Sequence, residues 1–109
     1  MTLSLPRRWW ESIRRLFRLR GIWADVRHDF DAAIKLLPSP PVEEDGSVAR
    51  AVEWLQYNEL DLAIDELERL GDENVVPPEY WHLLARAAAR MNLSDYEARM
   101  VRRMSRGNR

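Results

Sequence analysis

Apolar residues in this chain recur three and four positions apart almost from end to end, and no segment alternates apolar and polar residues with period two. That spacing buries one stripe of an α-helix and does not suit a strand, whose two faces alternate at every residue. The stripe restarts at a few Gly, Pro and Asn positions, and those positions set the order of the elements.

Pro6 suits the first turn of a helix, and Trp9, Trp10, Ile13, Leu16 and Phe17 follow as a stripe with Arg14, Arg15 and Arg18 opposite. Gly21 interrupts it; Trp23, Val26, Phe30, Ala33 and Leu37 resume at helical spacing, so residues 1–37 hold one helix or two. "PSPPVEEDGS" (38–47) reads as a Pro- and acid-rich linker. Ser47 is placed to cap a helix whose inner face is Val48, Ala51, Val52 and Leu55. Asn58 reads as a tight turn into "ELDLAIDELERL", which buries Leu60, Ala63, Ile64, Leu67 and Leu70, with Gly71 just past the helix end. Pro77 and Pro78 open the next helix, Asn92 turns the chain, and Ser94-x-x-Glu97 reads as a capping box for a last helix ending near Met104.

At 109 residues, 46% of them apolar and 32% charged, the chain suits one soluble domain, 1–109, with a single core. The expected fold is all-α, a compact bundle of about five to six helices, with antiparallel hairpins at the short Asn58 and Asn92 connections. The two asparagines are 34 residues apart. That is the period of tetratricopeptide repeats, and Ala51, Trp54, Ala63, Leu67 and Leu70 resemble one such unit, although the repeat Trp and Gly of that family are missing.

The absence of cysteine excludes disulfides and thiolate metal sites and fits a cytoplasmic setting. The apolar runs are too short to span a membrane. The glycines are isolated, so no phosphate-cradling loop exists. Asp25, His28 and Asp29 share a helix face that could hold a divalent ion, but a histidine with no second ligand element nearby reads as a solvated polar face. No catalytic residue, metal or cofactor is expected.

The charges are sorted by position: residues 1–35 carry a net +4, 36–76 a net −9 and 77–109 a net +4. The N-terminal basic helix, with Trp9 and Trp10, could lie on a membrane surface, although a stripe at that spacing more often packs in a core. The C-terminal "RMVRRMSRGNR" invites a nucleic-acid reading, which the neighbouring acidic block opposes by repelling phosphate. On the helix 59–70, Asp61, Asp65, Glu66 and Glu68 occupy the arc away from the core, with Leu62 among them. Trp54 and Tyr57 border it from the preceding helix. Aromatic and aliphatic anchors within a charged rim suit a protein interface.

"WLQYNELDLAIDEL" resembles the short Glu-aromatic/aliphatic-x-x-Ala pattern of small helical immunity proteins of bacterial polymorphic-toxin and contact-dependent growth-inhibition systems. The matching positions are Glu59, Leu62, Ala63 and Leu67, and the likeness covers about residues 48–100 through "VPPEYWHLLARAAARMNL". It implies a cytoplasmic, non-enzymatic inhibitor whose partner is one cognate toxin. A basic-surfaced nuclease would then meet Glu59, Asp61, Asp65, Glu66 and Glu68 as charge partners, and Trp54, Tyr57 and Leu62 as desolvated contacts. The alternative is a tetratricopeptide-like adaptor docked to membrane through its basic N-terminal helix.

Overall fold

The computed structural model describes the backbone of residues 7–106 and the side chains of residues 21–106. The expectations for Trp9, Trp10 and the rest of their stripe fall outside the described side chains. Among the described residues the fold is all-helical: α1 (Arg7–Lys35), α2 (Val48–Gln56), α3 (Leu60–Glu73), α4 (Pro78–Arg90) and α5 (Ser94–Arg106).

The first helix is single and runs unbroken through Gly21. Gly21 has an ordinary negative φ, and open space surrounds the place where a Cβ would sit. A lone glycine weakens a helix by about 1 kcal/mol relative to alanine, too little to break one that packs along its length. Val26, Phe30 and Ala33 bury this helix against α4 and α3.

Gly71 does not close α3, which continues to Glu73. It has no side chain because α4 crosses there: a Cβ would lie 2.5 Å from the Trp81 ring and 2.6 Å from the Tyr80 ring. Those two rings meet edge-on at 5.2 Å, and the Tyr80 hydroxyl donates to the Leu67 carbonyl at 2.6 Å. α3 stops at Asn74, whose side-chain amide donates to the Leu70 carbonyl.

The 38–47 segment is anchored rather than slack. The Glu73 carboxylate accepts the backbone N–H groups of Glu44, Asp45 and Gly46 at 2.7, 2.9 and 2.7 Å. Asn74 grips Val42 from both sides, accepting from its N–H and donating to its carbonyl. Ser47 caps α2 as expected, accepting from the Arg50 N–H at 3.2 Å. At α5 the cap position falls to Leu93, whose carbonyl accepts from Glu97 N–H at 3.0 Å, so Ser94 lies inside the first turn.

Both hairpins close with the same turn. Asn58 and Asn92 take left-handed backbone at φ 55 and φ 58, a conformation asparagine tolerates better than most residues. In each, the next residue's N–H reaches back five positions: Glu59 to Trp54 at 2.8 Å and Leu93 to Ala88 at 2.9 Å. This six-to-one closure satisfies end carbonyls that would otherwise be orphaned. The hairpins nevertheless do not show a tetratricopeptide stack. α4 packs chiefly against α5 and α1, α2 against α3, and α3 meets α1 and α4 less extensively.

Candidate functional site

Three of the four carboxylates expected to form a free acidic face on α3 are instead used inside the molecule. Glu66 is only 2% exposed and sits between Arg50 of α2 and Arg69 of its own helix. Asp65 pairs with Arg69 at 3.0 Å and accepts the Tyr96 hydroxyl at 2.8 Å. Glu68 binds Arg99 at 2.8 Å and Arg103 at 2.6 Å. Arg103 also takes both oxygens of Asp72. Burial alone would raise the Glu68 carboxyl, yet the hydrogen bonds and charges of Arg99 and Arg103 outweigh it and hold the group below its ordinary value.

The α5 contacts form a ladder. Tyr96, Arg99 and Arg103 meet Asp65, Glu68 and Asp72, each pair 31 residues apart. A constant sequence offset requires α3 and α5 to run parallel, with i, i+3, i+7 positions facing each other across the gap. The matched spacing stands in the sequence, but it acquires meaning only once the two helices are known to be neighbours.

The other five expected contact residues gather at the α2–α3 corner. Tyr57 is 69% exposed and Leu62 41% exposed, Glu59 and Asp61 are exposed, and Trp54 is half-buried against the core. Glu53, Glu59 and Asp61 have no ion-pair partner among the described residues. Around this corner lies an open cleft of about 380 Å³, which sequence reasoning missed because three separate elements build it. Ile22 and Trp23 of α1, Leu60 and Asp61 of α3, and Met91 and Leu93 of the second turn line it, with Asn58 and Asn92 at the two turns.

The Asp25–His28–Asp29 face does not converge on an ion. Asp29 is 1% exposed and bound by two arginines of α4: Arg86 through Nη2 at 2.6 Å and Nε at 3.3 Å, and Arg90 through Nη1 at 2.7 Å. His28 points to solvent. Among the described residues no cluster of His, Cys, Asp and Glu could hold a metal, and no helix is long and apolar enough to cross a membrane. No protein-family model, no curated protein and no solved structure matches the chain.

Proposed function

We propose that this protein is a non-catalytic inhibitor that binds and neutralises a cognate bacterial toxin with a basic surface, most simply a nuclease, through its α2–α3 corner. The observation that carries this reading is Tyr57, an aromatic side chain 69% exposed on a rigid hydrogen-bonded turn, beside Leu62 and the carboxylates of Glu59 and Asp61. A large side chain held on fixed backbone loses little entropy on binding, and such residues carry much of the energy of protein interfaces. The carboxylates around it, with no ion-pair partner among the described residues, suit a Lys- and Arg-lined phosphate site and speed encounter with it. The ridge formed by Asp65, Glu66 and Glu68 holds the scaffold rigid rather than meeting the partner.

The test joins capture to protection. Tagged protein should retain one partner from source cells, and that partner, expressed alone in a bacterial host, should arrest growth that co-expression of this chain restores. Tyr57→Ala should weaken the complex by about 2 kcal/mol, roughly thirtyfold in Kd, and Asp61→Lys should slow association. A captured partner harmless to the host, or protection indifferent to both substitutions, overturns the reading.

A further inference from the structure

We infer that the cleft between α1 and the two asparagine turns is a receptor for an arginine side chain of the partner protein. This rests on the binding reading above and names the chemistry of the contact. The cleft is lined by the apolar side chains of Leu60, Met91, Leu93, Ile22 and Trp23 and by one carboxylate, Asp61. Its volume of about 380 Å³ suits a long side chain. Trp23 is 37% exposed, leaving indole surface that the fold does not cover.

The charge layout selects the occupant. Arg90 also lines the cleft; its Nη1 is bound at 2.7 Å to Asp29, a carboxylate it shares with Arg86. Asp61 has no ion-pair partner among the described residues, and Glu59 stands two positions before it. The site therefore offers apolar side chains, an aromatic face and a carboxylate with no ion-pair partner among the described residues. Arginine matches all three: its methylene stem covers Leu60 and Met91, its planar guanidinium stacks on an indole, and its fork pairs with a carboxylate. Lysine has a point charge in place of the planar fork, and a neutral isostere cannot form the ion pair. The exposed Asn58 and Asn92, which also line the cleft, supply further acceptors through their amide oxygens.

The experiment needs no identified partner. The indole N–H signal of Trp23, assigned by Trp23→Phe, is followed by nuclear magnetic resonance while the full chain is titrated with N-acetyl-arginine amide, its lysine counterpart and its citrulline counterpart. The expected result is a saturable shift with arginine, binding about tenfold weaker with lysine, and no saturable shift with citrulline. Asp61→Asn, a substitution on an exposed side chain, should abolish the arginine response. No saturation with arginine, an equal response to citrulline, or an unchanged response in Asp61→Asn overturns the proposal. Growth protection that survives a failed titration removes the arginine site and leaves the inhibitor reading standing. A positive titration with no protection does the reverse.

Discussion

A methyl group at residue 71 would press on the rings of Trp81 and Tyr80 at 2.5 and 2.6 Å, whereas one at residue 21 would meet none of the described side chains within 4 Å. The two glycines look alike as interruptions of a helical stripe, and their substitutions should have opposite signs. Gly71→Ala should destabilise the fold by about 1–3 kcal/mol, the usual effect of overpacking a core. Gly21→Ala should stabilise it by about 1 kcal/mol, the helix-propensity difference. Urea unfolding of both variants checks the pair. Glycine at residue 71 reads locally as a helix terminator because glycine favours that position, and only the tertiary approach of α4 reveals why it is there. Asp29 makes a second residue-scale case. Its carboxylate is 1% exposed, while Arg86 and Arg90 are 44% and 35% exposed. Asp29→Asn leaves two arginines that can turn to water and should cost about 1–3 kcal/mol. Arg86→Ala/Arg90→Ala strands a buried anion and should cost more, about 3–5 kcal/mol. A double variant milder than Asp29→Asn would mean that the carboxylate finds water elsewhere.

Among elements, helix existence was largely legible, because the 3.6-residue stripe, Ser47, Pro78 and the two asparagines are local signals. Helix partnership was not. Nothing in "LDLAIDELERL" says that Asp65 and Glu68 will meet Tyr96 and Arg99 rather than solvent, since an acidic arc on a wheel looks the same in both cases. The pairing follows from the chain's return through α4, which lays α5 parallel to α3. Element-scale energetics should therefore show coupling where the wheel implied independence. Arg99 also stacks on Tyr96 at 4.2 Å and Arg103 on Trp81 at 5.1 Å, so single substitutions mix several losses. A double-mutant cycle between Glu68→Gln and Arg99→Gln cancels those terms and should return about 1 kcal/mol of coupling, the scale for half-buried neighbours in one network. Coupling near zero would show that solvent screens the Glu68–Arg99 pair and leave the Tyr96, Arg103 and apolar contacts to hold α5.

Over the whole molecule, the sorted charge blocks were legible as electrostatic complementarity, and part of the complement proves to be internal: Glu68 and Asp72 of the middle block meet Arg99 and Arg103 of the C-terminal block across α3 and α5. The exposure of Tyr57, Glu59, Asp61 and Leu62 at the α2–α3 corner was legible from the wheel, while the cleft beside them was not, since Ile22, Leu60 and Met91 converge only on folding. Internal pairing makes global stability depend on pH. Glu73 is held below its ordinary value of 4.5: the Gly46 N–H lowers it most, burial opposes, and the Glu44 and Asp45 N–H groups and the Arg50 charge add to the lowering. Glu68 is likewise below 4.5, with burial opposing and Arg99 and Arg103 prevailing. Both groups bind fewer protons folded than unfolded in acid, so stability rises with pH there. Their contribution is complete above the ordinary carboxylate range and is lost as pH falls through that range toward the lower folded values. The urea midpoint should thus hold steady from neutral pH to about 5 and then drop. Protonation at Glu73 releases the backbone of residues 44–46 while protonation at Glu68 loosens α5, so the drop should involve both the 44–46 segment and α5. Glu68→Gln/Glu73→Gln should lower the neutral plateau and flatten the acid limb; an acid limb of unchanged steepness would place the proton uptake on other carboxylates.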